Sequence, residues 1–256
     1  VPSAAQFYPT PGHDEALARI EYLVDAGRRL GALLGPAGRG KSLLFDVAAR
    51  RLARTGRATV LINALGLSPR EFLWQIASQL GTAPREDADG PRLWRQISDR
   101  IAENVWHQVG TVLLVDDAGQ AGPDVLTHII RLAQLDTRPA AQWTIVLAAE
   151  PEQAARWNAT LRDLVDLRID VEEWSEEDTI GYVQNALIEA GSRGPLFADD
   201  ALSVLHQFSG GNPRRVARLA DFALLAGAAA GADRIDAALI REAGEEIAWP
   251  ELAGAY

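Results

Sequence analysis

Cysteine is absent from the 256 residues, and so is methionine. Without cysteine, disulfide frameworks, thiolate zinc sites and cysteine nucleophiles are excluded. Long apolar runs are missing too: the most apolar stretch, "FALLAGAAAGA" from Phe222, is about half the roughly 20 residues of a membrane span. Basic residues are in deficit, 25 against 35 acidic ones, a formal charge of −10. That balance argues against a protein-wide basic surface, so nucleic acid is not an expected partner. The chain opens at Val1, which reads as a fragment or processed product, and any membrane association is expected only through segments outside it. The expected location is cytoplasmic.

What is present is an ordinary globular balance, 48% hydrophobic and 23% charged, enough for one substantial core and a smaller second one. Short apolar runs alternate with segments of helical period, the pattern of a parallel sheet covered by helices on both faces. Strands are expected at 29–35, 58–63, 111–116, 143–149 and 167–171. They lack alternation, as strands buried on both faces do. Helices are expected at 41–54, 69–80, 91–109 and 123–135, several opening on proline. The piece "GTAPREDADGP", 81–91, reads as a mobile surface loop. Beyond Val171 the strands stop, and 175–190, 199–208, 213–230 and 236–247 read as four helices of a separate all-helical unit. The expected division is 1–172 and 173–256.

Between the first strand and the first helix lies "GPAGRGKS", Gly35, Pro36, Ala37, Gly38, Arg39, Gly40, Lys41 and Ser42, followed by Leu43. It fits G-x-x-x-x-G-K-[ST]. Loop N–H groups and the unpaired donors of the helix's first turn then converge on one point, which favours anionic oxygen. Lys41 would place its ammonium on the β- and γ-phosphates of a nucleotide, and Ser42 would offer its hydroxyl to Mg²⁺. A plain glycine turn is the alternative, and the strand-loop-helix context argues against it.

The run "TVLLVDDAGQ" ends in two carboxylates, Asp116 and Asp117. In a parallel sheet ligands sit beyond the C-terminal strand ends, so these acids and the loop can share one crevice. Asp116 would hold Mg²⁺ through its waters and Asp117 would polarise an attacking water. A turn or capping pair is the structural alternative.

Loop, acidic strand and helical tail together resemble the AAA+ ATPases, and within them the ExeA-like branch, the general secretion pathway protein A type. The family's "DEAQ" resembles "DDAGQ" here. Its opening is similar to "FYPTPGHDEALARIEYLV" (7–24) and its lid to "SGGNPRRVARLADFALLAG" (209–227). The resemblance implies a P-loop NTPase with a five-stranded parallel sheet and a four-helix lid, binding ATP and Mg²⁺. It also implies adenine lying between the segment near Tyr8 to His13 and the lid, a protein partner, and nucleotide-dependent self-assembly. Asn212 and Pro213 suit a helix start, and the resemblance makes Arg214 the second-sensor arginine that reaches the γ-phosphate. Arg215 and Arg218 read as a solvated face.

Three departures from that pattern stand out. Asp117 replaces the usual glutamate and is one methylene shorter, which points to slow hydrolysis. The strand 143–149 ends without Ser, Thr or Asn, and the acid Glu150 would repel phosphate, so the first sensor is unassigned. Leu167 falls where an arginine finger is expected, leaving Arg162 or Arg168 as substitutes from a neighbouring subunit, or as surface arginines. His13, His107, His128 and His206 lack metal-like spacing and read as packing or surface residues. The expected activity is Mg-ATP hydrolysis coupled to lid motion; the rivals are a nucleotide-gated scaffold and a transposition-type DNA helper.

Overall fold

The computed structural model describes residues 7–135, 142–192 and 194–247. Two compact units emerge. One comprises the described residues up to Ala37 together with 41–171; the other comprises Gly38–Gly40 and the described residues from Glu172 onward.

The first unit is built on five parallel strands, β1 (Leu30–Leu34), β2 (Ala58–Asn63), β3 (Thr111–Asp116), β4 (Trp143–Ala149) and β5 (Leu167–Asp170), in the order β2-β3-β4-β1-β5. Every residue of β1, β3 and β4 is buried, which is why these runs show no alternation in sequence. The edge strands β2 and β5 are only partly covered.

Alternation reappears when the two faces are separated. Leu30, Ala32 and Leu34, with Leu113, Val115, Ile145 and Leu147, join the core under α3 (Pro69–Gln79), α4 (Gly90–Trp106) and α5 (Pro123–Ala133). Leu33, Val112, Leu114, Val146 and Ala148 face the other way, toward α1 (Pro11–Asp25) and α2 (Lys41–Arg54). A one-residue register shift would exchange these two cores, so the pairing Leu34↔Ala149 and Asn63↔Asp116 is strongly specified. That register brings the C-terminal ends of β1, β3 and β4 to one edge, followed by Gly35, Asp117 and Glu150.

Several boundaries moved from their sequence expectation for identifiable reasons. β1 starts at Leu30, and the N–H groups of Arg29 and Leu30 both donate to the Asp166 carboxylate. α4 opens at Gly90 behind the N-cap Asp89 and stops at Trp106, with left-handed Gln108 (φ 58°) just beyond. α1 was not read as a helix; Thr10 caps it, accepting from the His13 N–H at 3.3 Å. Two short helices, α6 (Pro151–Ala154) and α7 (Ala159–Asp163), also went unread. The loop expected to be mobile is pinned: Arg70 donates to the carbonyls of Glu86 and Ala88, Trp74 donates to that of Arg85, and Ala88 is buried.

The second unit holds α8 (Glu176–Glu189), α9 (Asp199–Ser209), α10 (Pro213–Ala230) and α11 (Ala237–Ile247) around Trp174, Phe197, Leu205, Val216 and Ile240. α8 opens with a reciprocal Ser175/Asp178 capping box. No described helix is long and apolar enough to cross a membrane.

Candidate functional site: the phosphate loop and the acidic strand end

β1 delivers the loop at a fixed point, because the Gly35 N–H donates to the Ala149 carbonyl at 3.3 Å, continuing the β1–β4 ladder by one residue. Gly38 (φ 82°) and Gly40 (φ 87°) lie in the left-handed region, so glycine is needed for the loop to curl back toward α2. Lys41 opens α2 and folds its ammonium over the loop, donating to the Gly35 carbonyl at 2.6 Å and the Pro36 carbonyl at 3.0 Å. α2 carries no acid of its own in its first turn. Pro36 and Ala37 are exposed, and Leu43 is half-buried beside the fully buried Leu44 and Phe45.

Ser42 follows Lys41, and its hydroxyl lies near enough to the Asp116 carboxylate to favour the ionised form. Asp116 is 6% exposed at the end of β3. Burial pushes its carboxyl above the ordinary range; the Ser42 hydroxyl pulls it back, the nearby Asp117 raises it further, and Lys41 lowers it. A hydroxyl and a carboxylate side by side suit Mg²⁺, which takes oxygen ligands, keeps several waters and needs only one or two protein groups. No larger cluster of potential metal ligands exists among the described residues.

Asp117 is held differently. Its backbone is left-handed (φ 50°, ψ 31°) and it heads a short 3₁₀ turn, Ala118–Gln120. Its N–H donates to Asp116 Oδ1 at 3.0 Å, and its Oδ2 accepts from Asn63 Nδ2 at 2.8 Å. Asn63 had not been singled out in the sequence. The available signal was an amide closing an otherwise apolar strand, and the β2–β3 register is what sets it beside the acids.

In the second unit, Asn212 caps α10, accepting from the N–H groups of Arg214 and Arg215 at 3.1 and 3.3 Å, with Pro213 in the first turn. The Arg214 N–H also donates to the Gly38 carbonyl at 3.3 Å, and Arg39 pairs with Glu173 at 2.9 Å. The structure therefore groups Gly35, Pro36, Ala37, Lys41, Ser42, Leu43, Asp116 and Asp117 in the first unit. It groups Gly38, Arg39, Gly40, Pro213 and Arg214 in the second.

Most of the remaining candidates have structural partners. Arg168 is engaged by Asp170 through both carboxylate oxygens at 2.8 and 3.0 Å, and Arg162 lies exposed in the last turn of α7. His128 accepts from the Trp94 indole at 3.2 Å, and His206 meets the Thr179 hydroxyl at 2.9 Å. Glu150 ends β4, its N–H donating to Gln153 Oε1 at 3.4 Å.

Comparisons with known proteins point the same way. The chain is 30% identical over 238 residues to general secretion pathway protein A of Aeromonas hydrophila, covering 91% of this chain and 43% of that protein. It thus spans less than half of that relative. Among solved structures it is similar to the Aeropyrum pernix ORC1 protein in complex with DNA (TM-score 0.70, 14% identity, covering 94% of this chain and 67% of that one). It is also similar to the Thermotoga maritima RuvB Holliday junction branch migration motor (TM-score 0.63, 16% identity, 96% and 72%). At those identities the likeness shows the fold, a P-loop NTPase fold. A family model described as "AAA domain" matches residues 24–157, more than half of the sequence and the whole run from α1's end through both acidic and phosphate-loop motifs. The chain belongs to the AAA domain family.

Proposed function

We propose that the protein binds Mg-ATP and hydrolyses its terminal phosphate. The observation that carries this reading is the Lys41 ammonium lying over the loop that β1 delivers, with Ser42 next in sequence and the buried Asp116 carboxylate ending β3. In a G-x-x-x-x-G-K-S loop those positions serve a triphosphate's metal and its β- and γ-oxygens, which supports the reading.

In this reading Gly35–Leu43 cradle the phosphates and Lys41 donates to them in exchange for, or alongside, the loop carbonyls. Mg²⁺, held by Ser42 and by Asp116 through water, would neutralise phosphate charge. Asp117 accepts a proton from the attacking water as the new O–P bond forms and the bond to ADP breaks, yielding ADP and inorganic phosphate. Arg214 takes the second-sensor role on its motif, Asn212-Pro213-Arg214, and adenine is expected near Tyr8 to His13. A protein partner and nucleotide-dependent self-assembly belong to the same proposal. The neighbours' DNA is theirs; the charge of −10 speaks against it here.

The test is steady phosphate release from ATP that requires Mg²⁺ and is abolished in Lys41→Ala. Tight ATP binding without release would instead favour the second reading, a nucleotide-gated switch. One observation supports that rival: Asn63 already engages an oxygen of the short Asp117 side chain. Phosphate release that rises in Asn63→Ala would identify this restraint as the cause of slow turnover.

A further inference from the structure

Asp117 keeps a left-handed backbone although it carries a side chain. Asp enters this region more readily than most L-residues, so what decides is how the surroundings hold it there. The surroundings are specific. Ala118 is fully buried, and the Gln120 N–H closes the turn on the Asp117 carbonyl at 2.9 Å. Between them, Gly119 meets Gln153: a Cβ at Gly119 would overlap Gln153 Oε1, stand 2.5 Å from the Gln153 Cβ and 3.1 Å from the Ala149 Cβ. The tip Oε1 could swing away, but the Gln153 Cβ, at 2.5 Å, could not.

Gln153 is itself fixed. It is the third residue of α6, and its Oε1 accepts from the N–H of Glu150, the residue that ends β4. A continuous chain of contacts therefore runs from the rigid end of β4 through Gln153 to Gly119, and from there by two peptide bonds to Asp117. At the far side the Asp117 carboxylate meets Asn63 at 2.8 Å.

We propose that Gln153, seated on Gly119, is a positioning residue for Asp117: it sets the left-handed turn that aims the carboxylate, so backbone geometry rather than side-chain length decides where the acid lies. This rests on the reading of Asp117 as the group that activates water. Gln153 touches neither acid and acts only through the turn.

The experiment uses the whole chain and reads two things separately. The first is the NMR position of the Asn63 side-chain amide, which reports its hydrogen bond to Asp117 and is calibrated with Asp117→Ala. The second is ATP binding against turnover. In Gly119→Ala the Asn63 resonances are expected to move to the Asp117→Ala position. ATP affinity should change by less than about twofold, because the turn contributes to the reacting geometry and not to phosphate binding. kcat should fall about 10²-fold, the order that a ~1 Å misplacement costs. Gln153→Glu keeps both the first side-chain carbon and the acceptor for the Glu150 N–H, and should leave both readouts at their wild-type values. Should Gly119→Ala fail to fold, Gln153→Ala loosens the same turn and should shift the Asn63 resonances in the same direction.

Asn63 resonances that stay put in Gly119→Ala or in Gln153→Ala overturn the proposal. A wild-type chain that binds ATP and releases no phosphate would defeat the hydrolysis reading, and the Asn63 resonances would still decide whether Gln153 sets the turn.

Discussion

Lys41 and Asp117 separate binding from chemistry at the scale of single residues. A charge-assisted contact is worth about 1.5–3 kcal/mol, so Lys41→Ala should weaken ATP binding by about 10- to 100-fold, measured by titration with a fluorescent ATP analogue. Asp117→Asn keeps the size and removes the base. It should leave that affinity nearly unchanged and lower phosphate release by about 10²-fold or more. His128 offers a pH prediction of known sign. Burial, and then the Arg131 guanidinium, push its imidazole below the usual histidine range, with Asp124 opposing. Its Nδ1 accepts from Trp94 at 3.2 Å while Arg131 covers the Trp94 ring at 4.2 Å, so the neutral ring is the one the fold uses. The unfolded chain takes up a proton near the ordinary pKa, about 6.5, before the folded chain does. Stability is therefore full above that pH and is lost as pH falls through it toward the lower folded value. The urea midpoint should drop between pH 7.5 and 5.5 in the wild type and drop less in His128→Gln.

At the scale of elements, what was legible in the sequence is what local chemistry determines. β2, β3 and β4 and the helices α2 and α10 have the bounds expected of them, because an apolar run or a cap fixes each end within a few residues. The phosphate loop was legible because its glycines, lysine and serine are consecutive. Asn63 and Gln153 were not, since their roles arise only when parallel pairing sets β2 beside β3 and β4 beside β3, across 54 residues in the Asn63–Asp117 case. The expected mobile loop over 81–91 is tied down for the same reason: its turn residues are local, and the Arg70 and Trp74 groups that hold it come from α3. The cap on α10 gives an element-scale prediction. Asn212 accepts from two N–H groups, so Asn212→Ala should cost about 1 kcal/mol of stability, while Asn212→Asp or Asn212→Ser should retain most of it. Thermal unfolding of the three variants measures the ranking.

At the scale of the whole molecule, charge is the property that fold likeness does not carry. The Aeropyrum ORC1 protein whose fold this chain shares is described in complex with DNA, whereas here 25 basic residues face 35 acidic ones. Affinity for a duplex is dominated by phosphate neutralisation, and each contact released by salt appears as a steeper slope of log affinity against log salt. A net charge of −10 opposes every such contact within a Debye length of about 8 Å at physiological ionic strength. The basic residues at the start of α10, Arg214, Arg215 and Arg218, lie within two turns of one helix and make a direct test. The expected outcome is duplex binding no tighter than the ~10⁻⁴ M end of the non-specific range at physiological salt, with or without ATP, measured by fluorescence anisotropy. An affinity in the 10⁻⁸ M range typical of specific complexes, with a steep salt slope that flattens in Arg215→Ala and Arg218→Ala, would show that a local basic face overrides the global charge and would move the protein's partner from protein to DNA.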